Sequence, residues 1–265
     1  MDARLNHLLD CLRAAGPLAV AYSGGVDSSL TLWAAAQALG GGALGVTVRS
    51  EFICETERRR ADRVAAHLDR GVGARVVARS VSVLADPRLR ANPADRCYLC
   101  KRLVLAEVRA AAQEELGPEA KLAEGTNADD DPTRPGLRAV AEAGVLSPLV
   151  LCGIDKAGVR ELARQIGLPN AEDPSNSCLA TRVPTGAELT FARLTAIEGL
   201  ERAARELGLT DLRARLAPGP IEGGGDAVRL LVRPAQMILA QGLEKRLRER
   251  AEFIGFTDFS LGERL

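Results

Sequence analysis

The sequence predicts an α/β fold in which helices flank a parallel sheet, followed by a small α+β carboxyl-terminal domain. Three observations predict it. Short apolar runs alternate with helical patterns over the first part of the chain, the texture produced when helices cross over between parallel strands. Two of those runs end in polar, glycine-containing turns, Ser23-Gly24-Gly25 and Glu124-Gly125-Thr126-Asn127, at the strand ends where open α/β sheets bind ligands. Beyond residue 186 a helical stretch is followed by two short strand-like runs around a glycine-rich turn.

The first element, MDARLNHLLDCLRAAG, is an amphipathic helix with Leu5, Leu8, Leu9 and Leu12 on one face. The run 17–23 predicts a strand and is followed by a helix from about Asp27 to Leu39. A strand over 43–50, a charged helix over 54–69 and a strand over 74–81 come next. A helix from about Tyr98 to Glu115 leads to a strand over 120–126. After GLPNAEDPSNSCLATRVPTG the pattern gives a helix near Glu188 to Leu207, then strands in DLRARLAP and AVRLLVRP around GPIEGGGDA. A helix from about Ala235 to Ile254 and a short strand in FTDFSL end the chain, which places a domain over 1–186 and a second over 187–265.

With 265 residues, 46% of them hydrophobic, the chain is long enough for a sizeable core. Its 35 basic and 35 acidic residues cancel, so no global basic field favours nucleic acid, and a small, nucleotide-like substrate fits better. The amino terminus lacks the basic start and continuous apolar core of a signal peptide, and no apolar run reaches membrane-spanning length. The expectation is a cytoplasmic protein without membrane or nucleic-acid partners, in which the six cysteines stay reduced rather than forming a disulfide framework.

The first chemical signal is AYSGGVDSS, residues 21–29, a strand end followed within a few residues by a helix. Two glycines let the backbone approach an anion, and the new helix presents free N–H groups and the positive end of its dipole. The spacing is not that of a Walker A loop, and the plainer alternative is a glycine-rich turn capped by Asp27 or Ser28. The stretch resembles the PP-loop of the ATP pyrophosphatase superfamily. That resemblance implies that Ser23, Gly24, Gly25, Asp27, Ser28 and Ser29 cradle the pyrophosphate leaving from ATP, with Asp27 near its Mg2+. It also places Thr47 and Val48, within the strand end 46–49, beside the adenine.

Cys97 and Cys100 form a Cys-x-x-Cys pair at the start of a helix, where the dipole favours thiolates. The pair alone is compatible with a redox dithiol, half a zinc site, two ligands of an iron-sulfur cluster, or no chemistry at all. No second pair completes a zinc site, and His7 and His67 lie far upstream. Cys178, in the apolar-poor stretch PSNSCLATR, is the natural third ligand, and three thiolates on a cubane cluster leave one iron open to a reactant. Cys11, Cys54 and Cys152 sit in apolar or helical contexts and read as buried or tolerated thiols.

SGGVDSS (23–29), NPADRCYLCK (92–101), EGTNADD (124–130), RPGLRAVAEAGVLSPL (134–149), DKAGVRELARQIGLP (155–169) and DPSNSCLATRVPTG (173–186) together resemble the LarE family of ATP-dependent sulfur transferases. The resemblance implies activation of the carboxylates of a pyridinium dicarboxylate mononucleotide as acyl adenylates. Their conversion to thiocarboxylates then supplies the nickel-pincer cofactor of lactate racemase. In one branch a lone cysteine at the place of Cys178 gives up its own sulfur; in another, three cysteines hold a 4Fe-4S cluster that carries a labile sulfide from an external sulfur donor. This chain has all three, so the cluster branch and a homo-oligomer are expected.

Within that resemblance Gly125, Thr126, Asn127 and Asp130 read as nucleotide or Mg2+ contacts, against a polar loop of Asx turns. Lys101 and Arg182, next to the thiols, pair with phosphate or lower a thiol pKa, or are simply solvated. Arg213 and Arg215 alternate on one strand face and hold the mononucleotide phosphate, or form the polar face of an antiparallel sheet. The chain departs from the family pattern at Glu172-Asp173, where an acid followed by Lys is usual, and at Thr185, where an aromatic is usual. The alternatives are sacrificial sulfur transfer from Cys178, a tRNA thiolase or amide-forming synthetase on the same fold, and a non-catalytic nucleotide or metal sensor.

Overall fold

The computed structural model describes residues 2–174, 177–217 and 225–264. In chain order the elements begin α1 (Ala3–Ala15), β1 (Leu18–Ala21), α2 (Val26–Leu39), β2 (Ala43–Arg49), α3 (Glu55–Val72) and β3 (Val76–Ser80). They continue with α4 (Pro87–Arg90), α5 (Arg96–Leu116), β4 (Lys121–Ala123), α6 (Pro135–Glu142), α7 (Pro148–Leu151) and α8 (Lys156–Gln165). The last are α9 (Phe191–Glu206), β5 (Arg213–Leu216), β6 (Ala227–Val232), α10 (Met237–Gly242), α11 (Glu244–Ile254) and β7 (Asp258–Glu263). Two compact units result: Met1–Ser50, Glu55–Ser82 and Asp95–Ser175 form one, and Glu51–Cys54, Val83–Ala94 and Asn176–Leu265 the other.

The first unit is an α/β layer structure around a parallel sheet of order β3-β2-β1-β4. From β1 the chain moves outward through β2 to β3, then returns to the other side of β1 as β4. The order therefore reverses between β1 and β4, and a crevice opens beyond their carboxyl ends. Side chains alternate across the sheet. Leu18 and Val20 pack with Leu8 and Leu12 of α1, Leu30 of α2, Leu68 of α3 and Leu162 of α8. Ala19, Leu44 and Val46 pack with Leu105 and Val108 of α5 and Val140 of α6. With both faces covered the strands read as apolar runs rather than alternating ones.

The second unit carries the sheet β5-β6-β7, with β5 antiparallel and β7 parallel to β6. Val228, Leu230 and Val232 are buried while Arg229 is exposed, and Leu194, Ile197, Leu200 and Ala204 form the buried stripe of α9. The helix expected over 235–254 is a short 3₁₀ turn, α10 and α11 in succession, with the break at Gly242-Leu243. Glycine is a poor residue to carry a helix across that point. Of the expected turn GPIEGGGDA, residues 218–224 lie outside the described residues, as do Ser175 and Asn176 of PSNSCLATR. Among the described residues no helix is long and apolar enough to cross a membrane.

Candidate functional site

β1 delivers the chain to Ser23 and α2 begins at Val26, so Ser23-Gly24-Gly25 must turn within three residues. Gly24 permits it with φ +77°, and a β-carbon there would stand 2.5 Å from the Cα of Ala61 on α3, a contact no side chain survives. The hydroxyl of Tyr22 donates to the Ala61 carbonyl at 3.0 Å, fixing α3 against the turn. Inside the turn Ser28 Oγ donates to Gly25 O at 3.0 Å and lies 3.1 Å from Ser23 Oγ. Ser29, fully buried, donates to Gly25 O at 2.9 Å. Gly25 caps α2 with no side-chain hydrogen bond, so no capping side chain competes with an anion for the first amides of the helix.

The loop after β4 meets this turn. Gly125 lies against the Asp27-Ser28 backbone. Asn127 ties the two loops together, its Nδ2 donating to Asp27 Oδ1 at 3.1 Å and its backbone N–H to Asp130 Oδ2 at 3.0 Å. Lys156, in the first turn of α8, donates to Asp27 Oδ2 at 2.6 Å. Asp130 also pairs with Arg134 at 2.8 Å. Glu124, 5% exposed, accepts from Thr126 Oγ1 and Ser147 Oγ, both at 2.7 Å, and stands 3.9 Å from Lys101 Nζ. Its buried oxygens are thus supplied with hydrogen-bond donors, as a buried polar group requires.

A cleft of ≈ 370 Å³ opens at this junction, walled by Ser23, Asp27 and Ser28 on one side and Gly125, Thr126 and Asp130 on the other. Cys97, Lys101, Glu124 and Arg134 also line it. The structure thus brings much of the expected phosphate site together with one of the expected thiols. Cys97 is exposed and Cys100 half-buried, both at the amino end of α5. Three carboxylates line the cleft, Asp27, Glu124 and Asp130, oxygen donors of the type Mg2+ prefers; Asp27 is paired with Lys156 and Asp130 with Arg134. Thr47 and Val48 do not line it: Val48 is buried on the α5 side of the sheet and Thr47 is half-buried.

Cys178, Arg182, Arg213 and Arg215 belong to the second unit. Cys178 is half-buried at the start of a 3₁₀ turn, Leu179–Arg182. Arg182 is 1% exposed; its Nε meets Glu201 at 3.0 Å and its guanidinium also donates to the carbonyls of Ser177 and Cys178. Arg182 is therefore not the solvated cation that was one of its two expected states. It braces the backbone that carries Cys178. Arg213 is buried and donates to the Leu212 carbonyl at 2.8 Å, while Arg215 is exposed. Among the described residues no group of three or more His, Cys, Asp or Glu side chains is placed to hold a metal ion.

Sequence reasoning missed Lys156, Glu124, Arg134 and Asn170. Glu124 and Lys156 each sit inside a motif already singled out, and the lysine's place beside the Asp155 cap of α8 was the available signal. Asn170, whose side chain reaches Gly24 and Ser29, has no local signature.

No family model matches the chain. It is 32% identical over 216 residues to an uncharacterized protein of Synechocystis sp., covering 81% of this chain and 78% of that one. It is 31% identical over 209 residues to the pyridinium-3,5-bisthiocarboxylic acid mononucleotide synthase of Lactiplantibacillus plantarum, covering 78% and 74%. An uncharacterized protein of Methanocaldococcus jannaschii is 28% identical over 197 residues, covering 74% and 72%.

Proposed function

The chain belongs to the LarE family, that of the pyridinium-3,5-bisthiocarboxylic acid mononucleotide synthase, and on that premise we propose that it is an ATP-dependent sulfur transferase. Its substrate is a pyridinium dicarboxylate mononucleotide, and the thiocarboxylate product serves nickel-pincer cofactor synthesis. The observation that carries this reading is the cleft in which Ser23, Asp27 and Ser28 face Cys97 and Lys101. An anion site at a helix amino terminus and a thiol share one cavity, as adenylation followed by sulfur transfer requires.

In the first half-reaction a substrate carboxylate oxygen attacks the α-phosphorus of ATP, forming the acyl adenylate and releasing pyrophosphate. The protein's part is positioning. Amides of the Ser23–Ser29 turn receive the β- and γ-phosphates, and Lys101, Arg134 and Lys156 balance their charge. Asp27 and Asp130 would hold Mg2+, which neutralises charge developing on the leaving group. In the second half-reaction a sulfur nucleophile attacks the acyl carbon, the bond from that carbon to the bridging oxygen breaks, and AMP leaves with the oxygen on its phosphate.

Cys97, Cys100 and Cys178 are the donor set for a 4Fe-4S cluster, three thiolates that leave one iron open. Bound there, the cluster would supply the transferred sulfide, replenished by an external donor. The second reading is sacrifice of the Cys178 sulfur itself. Incubation with ATP, Mg2+ and the dicarboxylate mononucleotide tests the function. Pyrophosphate release that depends on the mononucleotide, followed by exchange of carboxylate oxygen for sulfur in its mass, is the expected result; release that ignores the mononucleotide would sink it.

A further inference from the structure

Asn170 is 1% exposed and lies between Pro169 and Ala171, at the end of the chain segment that leaves α8. Its Nδ2 donates to the Gly24 carbonyl at 2.9 Å and to Ser29 Oγ at 3.0 Å. A backbone carbonyl only accepts, so the Gly24 contact fixes which end of the amide is the NH2. Arg160 holds the segment from behind by donating to the carbonyls of Ala171 and Asp173.

The consequence falls on Gly25. Among the described residues there are no cis peptide bonds, and in a trans peptide the C=O and the following N–H point in opposite directions. Asn170 pins the Gly24 oxygen on one side, so the Gly25 N–H must face the other. There it finds Ser23 Oγ at 3.4 Å, a long contact that leaves the donor weakly engaged, and Ser23 lines the cleft. The second contact acts on the next peptide plane. Ser29 accepts from Asn170 and donates to Gly25 O at 2.9 Å. The peptide plane before Gly25 is thus held by Asn170 directly, and the one after it through Ser29, alongside Ser28 Oγ, which also donates to Gly25 O at 3.0 Å.

Asn170 Oδ1 is buried without a hydrogen-bond partner among the described residues. A buried acceptor left unpaired is destabilising, and an apolar residue in its place would remove that cost. The NH2 end accounts for its presence. We infer that Asn170 is a positioning residue that presets the Gly25 amide to donate to the pyrophosphoryl group of ATP. The inference rests on the reading of this turn as the pyrophosphate site.

The test uses the full chain and two probes, inorganic pyrophosphate and AMP, titrated with Mg2+ present against the wild type, Asn170→Ala and Asn170→Thr. Pyrophosphate affinity should fall about tenfold in Asn170→Ala, the loss expected when one hydrogen bond to a charged group is no longer presented. AMP affinity should hold within about twofold, because AMP carries no pyrophosphoryl group. The threonine hydroxyl can serve one of the two acceptors and should recover part of the loss; where Asn170→Ala fails to fold, the same pyrophosphate-to-AMP ratio is read from Asn170→Thr. Equal weakening of both probes, or no weakening of pyrophosphate, overturns the inference while leaving the function in place. A wild type that binds no pyrophosphate removes the functional reading and the inference together.

Discussion

A β-carbon at position 125 would stand 2.7 Å from Ser28 N and 2.9 Å from Asp27 C, so the loop after β4 can touch the start of α2 only through a glycine. Gly125→Ala should therefore separate the two walls of the cleft. We expect a cost of about 1–3 kcal/mol from overpacking and at least a tenfold fall in pyrophosphate release, measured under saturating ATP. Gly41→Ala, at a position with nothing within 4 Å, should leave both unchanged. A different residue sets a pH limit. Burial first, then the neighbouring Cys11, pushes the Cys152 thiol up to about 11. An acid whose pKa is raised on folding keeps a proton that the unfolded chain releases, so folding stability from this group is whole below the ordinary thiol pKa of about 8.5 and is lost as pH rises toward the folded value. The thermal midpoint should decline over that window, and the decline should be shallower in Cys152→Ala. An unaltered slope in the variant would count against burial as its cause.

At the scale of elements, the contrast between helix starts explains how the cleft is built. Asp2, Asp155 and Thr190 cap α1, α8 and α9 with side-chain hydrogen bonds, whereas α2 begins on Gly25 without one. The Asp155 cap also seats Lys156, whose backbone N–H donates to Asp129 and whose ammonium meets Asp27. Asp155→Ala should cost about 1 kcal/mol of stability and, by loosening the first turn of α8, raise the KM for ATP more than it lowers kcat. The reverse split would place the effect on the chemical step. Long, periodic helices such as α1, with its Leu5, Leu8, Leu9 and Leu12 face, were legible in the sequence because amphipathic spacing is a local property. The proline-started α6 and α7 were not, since eight and four residues hold too few turns to show a period. The same divide runs through the site. The Ser23–Ser29 turn is contiguous and readable, but Asn170 reaches Ser29 across 141 residues and Lys156 reaches Asp27 across 129, pairings that only the tertiary fold creates.

At the scale of the whole molecule, the three candidate sulfur ligands come from both compact units: Cys97 and Cys100 from the sheet-bearing one, Cys178 from the other. Arg182 holds the Cys178 segment through a nearly fully buried pair with Glu201, an arrangement costly to break because it would strand a charge. That makes alanine variants of the cysteines themselves the cleaner probe, since a small, half-buried or exposed thiol can be removed with little loss of packing. If the three thiolates act as one donor set, Cys97→Ala, Cys100→Ala and Cys178→Ala should behave alike. Each should still release pyrophosphate, because the proposed adenylation draws on the Ser23–Ser29 turn, and each should lose iron, acid-labile sulfide and thiocarboxylate formation together in anaerobically purified protein. If Cys178 surrenders its own sulfur, the outcomes separate by unit. Cys97→Ala and Cys100→Ala would then still form thiocarboxylate for a single turnover, and the wild-type chain would lose the mass of hydrogen sulfide at Cys178 as product appears.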